Sequence, residues 1–141
     1  MNILLVDDNP GDLGLTKEAL REVIGDRIVS SARDGVEAMQ LLKQTGSSGE
    51  TPHPALVFLD LNMPRKNGME VLAEMKADEN LKRIPVVILS SSEAPNDVLK
   101  AYGLHANCYA RKPVDLDQMI AKIQAIAKFW LNVVELPPLA A

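Results

Sequence analysis

Two strand-length stretches in the middle of this chain are apolar without a break: Ala55-Leu56-Val57-Phe58-Leu59, and Val86-Val87-Ile88-Leu89 following Ile84-Pro85. A strand with one wet face alternates apolar and polar residues, so an unbroken run points to a strand buried on both faces of a parallel sheet. The first run leads into Asp60, which puts a carboxylate at the carboxyl end of its strand. In open α/β folds that edge is where ligands bind. Pro64 then stops the strand, and Gly68 lets the backbone turn into the next helix.

The rest of the chain supplies matching elements. Residues 2–6 read as a first strand ending at Asp7-Asp8, with Asn9-Pro10-Gly11 as turn punctuation. Leu13, Thr16, Leu20, Val23 and Ile24 then fall at helical spacing, closed by Gly25. Residues 27–32 form a short second strand, and Asp34-Gly35-Val36-Glu37 has the pattern of a capping box opening a helix with Val36, Met39 and Leu42. A long surface loop rich in Gly, Ser and Pro covers residues 44–54. Gly68, Val71, Leu72 and Met75 mark a third helix, and residues 84–89 a fourth strand running into Ser90. Pro95 suits the first turn of a helix carrying Val98, Leu99 and Tyr102. Residues 106–111 are the fifth strand, followed by Lys112-Pro113, and Asp115 with Gln118 opens a last helix. The expected fold is a doubly wound five-stranded parallel sheet flanked by five helices, in one domain.

Composition narrows the function. The chain has 141 residues, a net charge of −4 and no dense basic stripe, which argues against nucleic acid as a direct partner. No apolar run approaches the ~20 residues of a membrane span, and the amino terminus lacks the core and basic start of a signal peptide. The expected location is cytoplasmic. The single cysteine, Cys108, has no internal disulfide partner and is expected to pack as a small apolar residue.

The residues that end the strands carry the chemistry: Asp7 and Asp8, Asp60, Ser90 and Lys112. Parallel strands bring these tips to one rim. Close carboxylates repel unless a cation sits among them, and a hard divalent ion with oxygen ligands, Mg²⁺ above all, answers that need. Such a site suits phosphoryl transfer, with Asp60 as nucleophile, Lys112 as counter-charge and Ser90 as hydrogen-bond donor. Singly, each residue has a plainer reading: turn residues for Asp7 and Asp8, helix starts for Asp60 and Ser90, a solvated charge for Lys112. Their order and their placement at strand ends favour the shared site.

Taken together, Val6-Asp7-Asp8, Leu59-Asp60-Leu61-Asn62-Met63-Pro64 with Gly68, Leu89-Ser90-Ser91, and Tyr109 before Lys112-Pro113 resemble the receiver domain of two-component response regulators, over residues 1–131. The resemblance implies the flavodoxin-like receiver fold, with Asp60 phosphorylated by a histidine kinase. It implies Mg²⁺ held by the side chains of Asp8 and Asp60, by the Asn62 carbonyl and, through water, by Asp7. It makes Ser90 and Tyr109 the switch pair and Lys112 the residue that holds the phosphoryl group. The long loop, the stretch Leu104-His105-Ala106-Asn107-Cys108-Tyr109 and the ending Phe129-Trp130-Leu131 further resemble small stand-alone regulators paired with cyanobacterial phytochromes.

Two departures stand out: Ser90 where threonine is frequent, and the basic Arg65-Lys66 after Pro64, which bears on kinase docking. Residues 132–141 read as a short tail with no output domain. Two rival readings share the chemistry or the fold. An aspartyl-phosphate phosphohydrolase needs an acid where Asn62 stands, and a flavodoxin-like cofactor carrier would meet repulsion from Asp7 and Asp8. The response regulator is expected to be a switch and not a turnover enzyme.

The last helix has more apolar surface than one stripe can use. Leu116, Met119, Ile120, Ile123, Ala127 and Trp130 are expected to face the sheet, leaving Ile126, Phe129 and Val133 on an adjoining face. That face predicts self-association, and the resemblance implies a homodimer through the fourth helix, fifth strand and fifth helix. The alternative is that the tail folds back over these residues.

Overall fold

The structure, a computed structural model, describes residues 2–46 and 51–138. Five strands alternate with five helices: β1 (Ile3–Val6), α1 (Pro10–Ile24), β2 (Val29–Ala32), α2 (Gly35–Lys43), β3 (Leu56–Leu59), α3 (Gly68–Ala77), β4 (Val86–Ser90), α4 (Pro95–Gly103), β5 (Cys108–Arg111) and α5 (Leu116–Lys128). A π-helical turn, Phe129–Val133, extends α5. All strand pairs are parallel, in the order β2-β1-β3-β4-β5, so the strand order reverses at β1 and β3. That switch point is where a doubly wound sheet opens a crevice.

β1, β3 and β4 are buried at every position, as the apolar runs that make up all of them but Ser90 require. Side chains alternate along a strand, which divides the core in two. Leu4, Val6, Val57, Leu59, Val86 and Ile88 point to one face, where Met39, Leu42, Val71, Leu72 and Met75 of α2 and α3 cover them. Ile3, Leu5, Leu56, Phe58, Val87 and Leu89 point to the other, against Leu13, Leu20 and Ile24 of α1 and Met119, Ile123 and Ala127 of α5.

The strands start one or two residues later than the apolar pattern suggests. The residues before them close turns instead: Arg27 N–H donates to Ile24 O, Ile84 N–H to Leu81 O, and Ala106 N–H to Ala101 O. The capping box at α2 forms by half. Asp34 Oδ1 accepts from Glu37 N–H at 2.9 Å, but the Glu37 carboxylate reaches Arg33 N–H. A complete box caps α3, between Asn67 and Glu70.

The last helix corrects one expectation. Leu116 does not face the sheet; it opens the first turn of α5 and is 64% exposed, because the helix axis meets the core only from Met119 onward. Of α4 only Ala101 is buried, and Leu99 and Tyr102 are turned outward. Ile126 is half-buried and packs against the core, as does Trp130, while Phe129 and Val133 stay exposed.

The described part of the tail does not cover them. Leu136 and Pro137 line a cavity with Asn2, Arg27 and Ala55, and Pro137 and Pro138 line another with His53, Arg83 and Ile84, beneath the amino edge of the sheet. Of the long loop, residues 47–50 lie outside the described residues. Its flanks are joined by Gly46 N–H to Thr51 O (2.7 Å) and by Thr45 Oγ1 to His53 Nδ1 (2.7 Å). Among the described residues no helix is long and apolar enough to cross a membrane.

Candidate functional site

The β1/β3 switch point places two carboxylates side by side. Val6 pairs with Leu59, Asp60 N–H donates to Val6 O at 2.9 Å, and Asp7 N–H donates to Ala32 O at 3.1 Å. Ladder bonds of the sheet therefore fix the backbones of Asp7 and Asp60 directly. Asp60 is 8% exposed; its Oδ1 accepts from Leu61 N–H (2.8 Å) and its Oδ2 lies 3.4 Å from Lys112 Nζ. Asp7 is equally enclosed, with Oδ1 accepting from Asn9 N–H (2.9 Å) and Oδ2 from Lys112 Nζ (2.7 Å). Asp8 is exposed, yet one oxygen each of Asp7, Asp8 and Asp60 lie within 4.8 Å of one another.

Lys112 follows the last strand, where its N–H donates to Ser90 O at 2.7 Å, and its side chain reaches across the rim. A third carboxylate meets it there. Asp12, in the first turn of α1, accepts from Nζ at 2.8 Å. The sequence reading did not single out Asp12; an acid in a helix's first turn is common enough to pass for dipole pairing alone.

Charge follows geometry. Burial pushes the Asp60 carboxyl up to about 6, against the pull of the Lys112 ammonium and with help from the Asp7 charge. Burial works to lower the pKa of Lys112. Hydrogen bonds to Asp12 and Asp7 and the charges of Asp60 and Asp7 outweigh it, holding the ammonium above the usual lysine range. Three carboxylates on one ammonium, with Asp8 beside them, leave net negative charge, and hard oxygen donors in excess fit a divalent cation.

The loop after Asp60 is pinned at both ends. At its base Gly68 N–H donates to Leu61 O (2.9 Å). At its tip Arg65, in the left-handed region at φ 64°, donates through Nε (2.9 Å) and Nη2 (2.5 Å) to Asp34 Oδ2. Gly35 N–H donates to Lys66 O (2.9 Å), and Lys66 pairs with Glu74 of α3. The basic residues after Pro64 are thus taken up by internal partners. Glu37 N–H and the Arg65 guanidinium hold the Asp34 carboxyl below the usual range. Asn62 sits in this loop with its side chain exposed.

Ser90 ends β4, fully buried, with Oγ accepting from Ser92 N–H at 3.3 Å. Tyr109 on β5 donates its hydroxyl to Ser92 O at 3.0 Å, and its N–H donates to the Tyr102 hydroxyl oxygen at 3.1 Å. Ser92 therefore ties Ser90 to Tyr109, a link invisible in the sequence because two turns and a crossover separate the residues. Asp7, Asp8, Asp60 and Lys112 come together as expected. Ser90 and Tyr109 are joined to each other through Ser92 of the β4–α4 loop, and Ser90 meets the cluster through the Lys112 N–H. Ile126, Phe129 and Val133 belong to a different surface.

Known proteins are similar to this chain in sequence and fold. The response regulator receiver domain family matches residues 3–124. The chain is 45% identical to response regulator Rcp1 of Synechocystis sp. over 135 residues, 96% of this chain and 92% of that protein. It is 34% identical to the probable methanogenesis regulatory protein FilR2 of Methanothrix harundinacea, over 92% of this chain and 83% of that one. The crystal structure of the phosphorylated cyanobacterial phytochrome response regulator RcpA superposes with a TM-score of 0.91 at 45% identity, covering 97% of this chain and 98% of that one. The Mn²⁺-bound form of Rcp1 gives 0.88 at 45% identity, covering 96% and 98%. Fold, rim residues and full-length similarity agree, and the chain belongs to the response regulator receiver family.

Proposed function

We propose that the chain is a single-domain phosphoryl switch in which Asp60 accepts a phosphoryl group from a phosphohistidine of a histidine kinase. The observation that carries this reading is the enclosed Asp60 carboxylate, facing Lys112 at 3.4 Å beside two further acids at the switch point. Asp60 Oδ2 attacks phosphorus; the P–O bond forms as the P–N bond breaks, and the electron pair stays on the kinase's imidazole nitrogen. Lys112 pairs with the transferred anion as a point charge. The Ser90 hydroxyl gives up Ser92 N–H and donates to a phosphoryl oxygen, which frees the β4–α4 loop to repack around Tyr109.

Mg²⁺ is the cation we assign. The Asp8 and Asp60 side chains and the Asn62 carbonyl would hold it, with Asp7 acting through water. When bound it neutralises charge on the carboxylates and the phosphoryl oxygens. Turnover is confined to the protein's own phosphorylation and dephosphorylation. Asn62 offers no general acid for a phosphohydrolase, which sets that alternative aside.

The finer assignments rest on similarity and on surface chemistry. Likeness to the cyanobacterial phytochrome response regulator RcpA supports a phytochrome-type kinase as the donor. We read residues 1–131 as the receiver domain and 132–141 as a tail, in a cytoplasmic protein. A homodimer through α4, β5 and α5 is supported by exposed Leu99, Tyr102, Phe129 and Val133. It is also supported by a groove that Cys108, Ile126 and Trp130 help to line.

Phosphotransfer tests the reading. A phytochrome-type histidine kinase, first phosphorylated with ATP, should lose its label to the wild-type chain in Mg²⁺ and keep it when offered Asp60→Asn. Equal transfer to the variant would remove Asp60 from its role.

A further inference from the structure

An ammonium has three N–H donors. In this structure all three of Lys112's are directed at carboxylates: Asp7 Oδ2 at 2.7 Å, Asp12 Oδ2 at 2.8 Å and Asp60 Oδ2 at 3.4 Å. The donor facing Asp60 Oδ2 is the one a phosphoryl oxygen arriving there would meet, and at 3.4 Å it is the longest of the three. Closing that distance draws Nζ away from Asp7 and Asp12, so one of those two shorter contacts has to loosen.

The three partners are not equally easy to leave. Asp60 carries the arriving group, so Lys112 moves toward it. Asp7 is 11% exposed at its side chain, and its other oxygen is occupied by Asn9 N–H, so abandoning it strands an enclosed carboxylate. Asp12 is 31% exposed and lies in the first turn of α1, whose N-terminus favours a negative charge with or without Lys112. Water and the helix end together can take over its solvation. Asp12 is the partner Lys112 releases.

We propose that Asp12 is a positioning residue for the phosphoryl switch: it holds Lys112 in the resting state and competes with the phosphoryl group for that ammonium. The inference rests on Asp60 being the phosphoacceptor. It makes Asp12 a brake: its removal leaves Lys112 a free donor and takes a negative charge away from the incoming anion. Both effects favour the phosphorylated state. The same removal acts oppositely on the metal, because the site loses negative charge and the freed Lys112 presses closer to Asp7 and Asp60.

The test uses the full chain and beryllofluoride as the phosphoryl mimic, titrated by calorimetry in saturating Mg²⁺, with Mg²⁺ alone titrated in parallel. Asp12→Asn should bind beryllofluoride roughly five-fold more tightly than wild type, the size expected for release of a partly exposed ion pair, and should bind Mg²⁺ alone more weakly. Asp12→Glu, which keeps the charge, should restore most of the wild-type behaviour in both titrations. A structural lesion would weaken both ligands together, and that outcome, or unchanged beryllofluoride affinity, overturns the proposal. Absence of beryllofluoride binding in wild type and variants alike would fall on the phosphoacceptor assignment, and this inference with it.

Discussion

Replacing Gly68 by alanine should damage both the fold and the site. An ideal Cβ there would lie 2.1 Å from the Asp60 carbonyl oxygen and 2.8 Å from Leu61 Cα. Both obstacles are backbone, so neither can rotate aside, and the loop carrying the phosphoacceptor has to move. Alanine gains about 1 kcal/mol over glycine in a helix. Forcing atoms into a filled site costs about 1–3 kcal/mol, and rigid obstacles put this position at or above the upper end. The net loss is about 2 kcal/mol, which at about 4 °C per kcal/mol lowers Tm by about 8 °C. Gly14 is the internal control: it is exposed in α1, and a Cβ there meets nothing within 4 Å. Gly14→Ala should therefore gain about 1 kcal/mol. Thermal melts by circular dichroism compare the two directly. Gly68→Ala melting at or above the wild-type temperature would refute the close-approach argument. If the fold survives, displacement of Asp60 should also slow phosphorylation.

Three further perturbations probe the site and the outer face. Asp60 has a folded-state pKa of about 6, above its ordinary 3.8, so ionising it costs stability. The cost is absent below about pH 4 and complete above about pH 6. In chelator, Asp60→Asn should therefore match wild type near pH 4 and exceed it by up to about 3 kcal/mol near pH 7, with denaturant melts as the readout and a pH-independent difference as the contrary result. Ser90→Ala should still accept phosphate but lose the phosphorylation-dependent shift in partner binding; a variant that responds like wild type would break the proposed Ser90–Ser92–Tyr109 coupling. Phe129 is 48% exposed on the α5 face and packs edge-on against Trp130, so Phe129→Asp should cost about 1 kcal/mol of stability, leave the protein folded and make it monomeric in the ultracentrifuge. A wild type that is monomeric with and without phosphate would remove the proposed dimer.

What was legible in the sequence depended on how local its cause was. The apolar runs of β3 and β4 announced burial on both faces, and the buried face of α3, Gly68, Val71, Leu72 and Met75, is the one its spacing describes. The rim could be read because parallel strands must end at a common edge, so a list of strand-final residues is already a list of neighbours. Asp12 escaped because its contact with Lys112 spans a hundred residues and its position looks like ordinary helix capping. Arg65 and Lys66 escaped for the same reason: nothing along the chain shows that Asp34 and Glu74 take up their charges. Leu116 was misplaced because periodicity gives a helix's stripe but not where along its length the helix first touches the sheet. α4 shows the converse, since its apolar residues at helical spacing point outward and only Ala101 meets the core.

The central claim is that Asp60 is the phosphoacceptor of a metal-dependent switch. Incubating the chain with a small phosphodonor, with Mg²⁺ or with chelator, and locating the product by peptide mass spectrometry tests it most directly. The account predicts one phosphoryl group, on the peptide containing Asp60, formed in Mg²⁺ and absent both with chelator and in Asp60→Asn. Phosphate on another residue, or equal uptake by the variant, would contradict it.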